Sequence, residues 1–285
     1  MAKIKITCDS ACDLPRVLAE RYRIQMLPMP VHLGEELHLD QIDVNCREAC
    51  EHTEKTGLLP VISPVSPEAY RKAFLEYTAQ GWEVIHISLS GAMSSCCCHA
   101  QAAARGLGNI HVVDSRSLSI GAGQLALLGA ELAGADYRAS EIVKALNALR
   151  DQLQTSFVLQ QSQYLRRGSK PGGLSAFCDR LMHIKPQLIL QKGLCHRGRP
   201  FRGDMEASIL SYVRSSLEGR KNIQTDRIFL TYSQVPNSLL QKVRSLLLTL
   251  QPFEEILEAP AGSVIAQRGG PGCLGLSYLT CGGNL

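Results

Sequence analysis

A chain of 285 residues exceeds one comfortable hydrophobic core, so it calls for one large domain or two modest ones. Its 45% hydrophobic and 20% charged residues exclude a disordered polypeptide. A formal charge of +4 permits an anionic ligand but does not demand nucleic acid, and 5% aromatic residues with no recognisable binding motif argue against that partner. Lys3 and Lys5 are followed by no apolar stretch, and Asp9 falls where a signal peptide needs its hydrophobic region. The longest apolar run, from Ile120 to Ala135, carries Glu131 and is too short for a bilayer. The expectation is a cytoplasmic protein with no transmembrane segment, transient membrane contact being allowed.

In chain order, Ile4 to Thr7 reads as a strand, and Asp13 can cap a helix with Pro15 in its first turn. Cys46, Cys50 and His52 could share a helix face and hold a metal. Eleven cysteines without a Cys-x-x-Cys are better read as small buried hydrophobes, and no metal is expected. Ser66 before Pro67 opens a helix whose Tyr70, Ala73, Phe74 and Tyr77 recur on one face. Val84 to Ser88 and Ile110 to Val113 read as strands around an alanine-rich helix from Ala100 to Arg105. Ser140 is a candidate cap for a helix burying Ile142, Val143, Leu146 and Leu149.

The second half begins with a basic, glycine-rich loop, Leu165 to Gly173, and the domain boundary is expected near residue 160, giving domains 1–160 and 161–285. Strands are expected at Gln187 to Leu190, Arg227 to Tyr232 and Ser263 to Gln267, with a helix carrying Leu239, Leu240, Val243, Leu246, Leu247 and Leu250 after Pro236. The alternation predicts an α/β protein in two domains, a parallel sheet covered by helices plus a smaller α/β domain.

Four polar loops flank these elements, at 7–10, 62–66, 88–95 and 114–117. Each serine or aspartate could be a simple helix cap. Four loops at one sheet edge favour a site for an anion such as a carboxylate or phosphate. Leu125, Leu127, Leu128 and Leu132 could line a tunnel or be plain core. Asp9 and Asp114 could polarise the neighbouring serines or cap helices. An enzyme using them, a phosphotransferase or hydrolase, stays open as an alternative, although no phosphate-binding Walker loop or Gly-x-Ser-x-Gly elbow occurs.

The same loops carry a resemblance. The segment from Thr7 to Pro15 resembles the opening T-D-S-T-A-D-L-P of the DegV family, and Ile62 to Pro67 its T-S-Q-P-S-P loop. Ser90 to Cys96 is similar to its S-S-x-L-S-G-T, Val113 to Ser117 to V-D-S-x-S, and Tyr164 to Gly168 with Ile184-Lys185-Pro186 to Y-L-K-K-G and I-K-P. Gly262 to Ile265 and Gly270 to Gly275 resemble its closing G-P-V-I and G-P-G-A-L-G. The resemblance implies a long-chain fatty acid held between two domains and presented to a separate bacterial fatty acid kinase, with no catalytic residue or cofactor in this chain. It implies carboxylate binding by Ser94 and Ser63, with Ile62, Ser95 and Gly269 as further ligand-binding positions; Arg268, whose planar fork matches a carboxylate or acyl phosphate, is a candidate extra anchor or a solvated surface arginine. Ile62 stands where the family has threonine, Arg268 where it has histidine, and Lys170 where it has the arginine of G-G-R-I. Lipid storage or transport without phosphorylation is the other reading open at this point.

Overall fold

A computed structural model of the chain describes residues 3–160 and 184–282. The loop from Leu165 to Gly173, Lys170 included, lies outside the described residues. Strand β1 (Ile4–Asp9) is rich in β-branched residues and pairs in parallel with β2 (Gln25–Leu27) on one side and β6 (Glu83–Ser88) on the other. β7 (Ile110–Asp114) completes a four-stranded parallel sheet in the order β2-β1-β6-β7. Because all four strands run the same way, the segments after β1, β6 and β7 emerge at one edge. The fourth polar loop, at 62–66, belongs elsewhere. It follows β5 (Val61–Ile62), an edge of a small antiparallel sheet with β3 (Pro30–Leu33) and β4 (Glu36–Leu39).

Helices cover both faces of the parallel sheet. On one side lie α3 (Pro67–Thr78) and α4 (Cys96–Ala104), with Tyr70, Phe74, Cys96 and Ala100 buried. The Ser66 hydroxyl accepts from the Ala69 N–H, the cap expected from sequence. The other side packs on α5 (Ile120–Gly134) and α6 (Ala139–Leu149). Ser140 is not the cap of α6; Glu141 Oε2 instead accepts from the backbone N–H of Arg138. A short helix, α1 (Arg16–Arg21), starts at Pro15, and Asp13 has turned left-handed at φ 49° rather than capping it.

The second unit is a six-stranded mixed sheet ordered β11-β10-β8-β15-β13-β14. Its strands are β8 (Leu153–Val158), β10 (Gln187–Gln191), β11 (Leu194–Arg197), β13 (Ile223–Ser233), β14 (Glu255–Pro260) and β15 (Cys273–Thr280). A two-stranded pair, β9 (Ile184–Lys185) with β12 (Phe201–Arg202), stands apart from it. Since β8 lies inside this sheet, the division between sheets falls between α6 and β8, ahead of residue 160. Alternation along β13 sends Ile228 and Leu230 to one face, against α7 (Met205–Leu217) and α8 (Asn237–Leu250). Phe229 goes to the other, where it meets the α5 core together with Leu153, Ala259 and Leu279.

α5 therefore sits between the two sheets. That is why it is apolar all round: Leu125 and Leu127 are fully buried core and do not line the cavity between the two sheets. Each such side chain contributes about 1.5–3 kcal/mol. Gly123 lets the helix approach the chain turn before α1, since a Cβ there would come 2.6 Å from the Cys12 carbonyl oxygen. One segment expected as a strand, Ser263 to Gln267, is helical: α9 (Ser263–Gly269) crosses back from the second half to pack on the first. Asp40 fixes its start by accepting from both the backbone N–H (2.9 Å) and the hydroxyl (2.5 Å) of Ser263. Asp13 does the same one residue earlier, accepting from the Gly262 N–H at 2.8 Å and from the Ser119 hydroxyl at 2.5 Å. No described helix is long and apolar enough to cross a membrane.

Candidate functional site

The segment after β6 is held from three directions. Asp9, fully buried at the end of β1, accepts from the Leu89 N–H at 2.7 Å, from the Ser88 hydroxyl at 3.2 Å and from the Tyr70 hydroxyl. Burial alone would raise its pKa, but the adjacent His86 ring (Nε2 at 3.4 Å) and the Tyr70 and Leu89 bonds outweigh it and hold the carboxyl below its ordinary value. Asp114, at the end of β7, accepts from the N–H groups of Gly91 and Arg116. From the second half, the turn between β10 and β11 reaches over, and the Ser90 hydroxyl donates to the Gly193 carbonyl at 2.6 Å. Asp9 thus accepts through both oxygens and has no solvent access, and Asp114 braces its loop through Oδ1.

This bracing sets the position of Ser94. Its backbone N–H donates to the Ser90 carbonyl at 3.0 Å, and its hydroxyl oxygen accepts from the Cys96 N–H at 3.2 Å, which leaves the hydroxyl proton to donate elsewhere. Ser94 and Ser95 border a cavity of about 470 Å³ between the two halves, inside the size range of small-molecule pockets. The first half contributes Met29, Leu89, Met93 and Leu118 to its walls; the second contributes Phe157, Leu159, Leu188 and Cys195. Val264, Ile265, Gln267, Arg268 and Gly269 of α9 also border it.

The lining is apolar. Burial pushes the Cys195 thiol up to about 11 and Cys273 up to about 12, so both stay neutral and act as wall. Arg268 is the one charged side chain among the described lining residues; partial burial lowers its pKa, but a guanidinium keeps its charge. Arg268 and Ser95 are exposed, which puts them where the cavity meets solvent. A larger cleft of about 1180 Å³ is lined by Arg116, Arg150, Lys192, Asp114 and Asp151, and its charged walls do not suit an alkyl chain.

Of the residues singled out from the sequence, Ile62, Ser94, Ser95, Arg268 and Gly269 surround this one cavity. Ser63 is not among its lining residues; its backbone N–H donates to the Pro30 carbonyl at 3.0 Å. Cys46, Cys50 and His52 belong to α2 (Cys46–Thr56), where the Cys46 thiol meets the Ser233 hydroxyl at 3.1 Å, and no three-ligand metal cluster occurs among the described residues. Sequence reasoning missed the apolar walls, Met29, Met93, Leu118, Phe157 and Leu188 above all. No local signal marks them, because they come from five separate segments that only the fold brings together.

The geometry defines a class: a two-unit α/β protein with an apolar cavity between its units and a braced, hydroxyl-bearing loop at the edge. A family profile described as "Uncharacterised protein, DegV family" matches residues 3–280, and the chain belongs to the DegV family. A DegV domain-containing protein of Clostridium perfringens is 30% identical over 195 residues, covering 68% of this chain and 70% of that protein. One from Deinococcus radiodurans is 25% identical over 277 residues, 96% of this chain and 97% of the other. Among solved structures, a DegV family protein from Thermus thermophilus, described for its fatty acid binding, superposes with a TM-score of 0.86 at 29% identity, covering 98% and 99% of the two chains. The fatty acid binding protein DegV of Bacillus subtilis shares the fold, with a TM-score of 0.82 at 24% identity over 98% of this chain and all of that one.

Proposed function

We propose that this chain holds a long-chain fatty acid in the cavity between its units, in the bacterial cytoplasm, and presents the carboxylate to a separate fatty acid kinase. The supporting observation is the apolar cavity of about 470 Å³ with the Ser94 hydroxyl at its border. A tail of about fifteen methylenes contributes on the order of 12 kcal/mol before ordering costs. Desolvating the carboxylate costs several kcal/mol and requires donors. Ser94 supplies a hydroxyl, and Arg268 a planar cation that matches a carboxylate. The tail then sets affinity and the polar edge sets orientation.

The bracing roles of Asp9 and Asp114 argue against a hydrolase or phosphotransferase built on them. In this reading the chain performs no chemistry alone, and phosphoryl transfer belongs to the kinase. Organic extraction of the purified protein followed by mass spectrometry is expected to yield a long-chain acid at near-stoichiometric amount. Ser94→Ala is expected to weaken retention by about tenfold or more, the loss of one charge-assisted hydrogen bond. A folded protein that neither carries nor takes up fatty acid overturns the reading.

A further inference from the structure

The small antiparallel sheet has two unlike faces. Val31, paired with His38 and Ile62, is fully buried, and Ile62 borders the fatty-acid cavity, so that face looks inward. The neighbouring register row, Leu37–His32–Val61, looks the other way. Leu37, Leu39, Ile42, Leu58 and Val61 are each between 37% and 71% exposed. They are half of the large apolar side chains exposed among the described residues, gathered in one 25-residue stretch. Scattered exposed leucines need no explanation, but a cluster does.

The charge in the same stretch is predominantly negative. Besides Asp40, which is buried against Ser263, residues 33–61 carry six carboxylates against two cations, Arg47 and Lys55, in a chain whose net charge is +4. Both cations are already paired with Glu51, at 2.8 and 3.6 Å. Glu36 and Asp43 lie beside the exposed row: Glu36 pairs with His38 at 3.5 Å, and Asp43 accepts from the Leu39 N–H at 2.5 Å. An anionic lipid surface would be repelled by such a rim, and so would a second copy carrying the same face. A protein with an apolar centre and a lysine- or arginine-rich rim would be attracted.

We infer that the outer face of this sheet, centred on Leu37 and Val61, is the docking surface for such a cationic protein partner. Resting on the function proposed above, that partner is the fatty acid kinase. Docking there sets it against the strand whose next residue, Ile62, borders the ligand cavity.

The test uses the full chain loaded with fatty acid, a Leu37→Lys/Val61→Lys variant, and Leu248→Lys as a control at an equally exposed leucine on α8. The probe is the purified ATP-dependent fatty acid kinase of the source organism, titrated by fluorescence anisotropy with acyl phosphate formation as a second readout. Neither Leu37 nor Val61 borders the cavity, so the double variant is expected to retain lipid and circular dichroism like the wild type. Its affinity for the kinase is expected to fall about tenfold or more, while Leu248→Lys binds normally and rising salt weakens the wild-type complex. Unchanged kinase binding by the double variant overturns the surface alone. Patch-dependent binding of wild type to phosphatidylglycerol vesicles, or patch-dependent dimerisation, overturns it in favour of a membrane or a second copy. A wild-type protein that holds lipid but forms no complex with the kinase overturns both the surface and the kinase role.

Discussion

Gly193 offers the sharpest test of how the two units are held around the cavity. It lies at the tip of the β10–β11 turn with φ at +84°, where an L side chain is strained. A Cβ added there would come 2.9 Å from Ser90 Oγ, the hydroxyl whose 2.6 Å bond to the Gly193 carbonyl ties this turn to the Ser94 segment. Gly193→Ala therefore brings roughly 1–2 kcal/mol of left-handed strain and about 1 kcal/mol for the lost buried hydrogen bond. Reduced freedom of the unfolded chain returns about 0.5 kcal/mol, leaving about 2 kcal/mol of destabilisation. If the tie exists only when the units are closed on the ligand, this appears as release of a bound fatty acid up to about thirtyfold faster. Ser90→Ala, which removes only the bond, is expected to show about half the free-energy effect. Denaturant titration and stopped-flow displacement of a fluorescent fatty acid measure the two quantities. A Gly193→Ala protein with unchanged midpoint and unchanged release rate would refute the idea that this turn latches the units.

Further expectations follow from three buried groups. Asp9→Ala leaves Leu89 N–H and the Tyr70 and Ser88 hydroxyls without their shared acceptor and should cost about 3–5 kcal/mol in denaturant titration; a cost under about 1 kcal/mol would show that Asp9 does not brace the loop. Because its folded pKa lies below the ordinary carboxylate value, its contribution is present above about pH 4 and lost as pH falls through the folded pKa, a slope that Asp9→Asn should remove. Asp13 behaves oppositely: burial pushes its carboxyl well above the ordinary value despite the Ser119 and Gly262 bonds, with Asp40 adding repulsion. Its favourable contribution is full below about pH 4 and is lost as pH rises from there through the folded pKa, so Asp13→Asn should remove that decline between about pH 4 and the folded pKa, and an unchanged slope would count against the burial argument. Ile265→Trp should fill part of the cavity and abolish recovery of a long-chain acid while the protein stays folded; full lipid occupancy in that variant would place the ligand elsewhere.

Where local pattern and tertiary need agreed, the sequence was readable. The Ser66–Pro67 start of α3 and the leucine periodicity of α8 fall where the spacing puts them, because each helix buries one face against a sheet. Ser263 to Gln267 failed for a physical reason: a short apolar run suits strand or helix equally, and the acceptor that starts this helix is Asp40, distant in sequence. Asp13 failed in the same way, since its partners are Gly262 and Ser119 rather than the helix that follows it. In α5, contact with both sheets erases the polar face that would have separated core from tunnel. Ser94, singled out by its loop motif, borders the cavity, whereas Ser63, in an equally good motif just after β5, does not line it.

The two units meet in two ways, and the difference bears on how a ligand could enter. Along α5 the contact is continuous core, with Leu125 and Leu127 in one buried cluster with Ile85 of one sheet and Phe229 of the other, and separating it would expose all of that surface. Around the cavity α9 packs on the first half through Val264 and Ile265 and is held by Asp13 and Asp40, while the opposite side is tied more discretely, by the β10–β11 turn on Ser90 and the Cys195 thiol 3.7 Å from the Met93 sulfur. The turn and the sulfur contact are each worth only a hydrogen bond or a van der Waals contact, so yielding of that side is expected to cost far less than unfolding. On the proposed function, the shared core and α9 are the expected fixed part and the β10–β11 turn on Ser90 is the part expected to yield. An alkyl chain placed there would replace lost ties with buried methylenes, and closing around it would restore the position of Ser94.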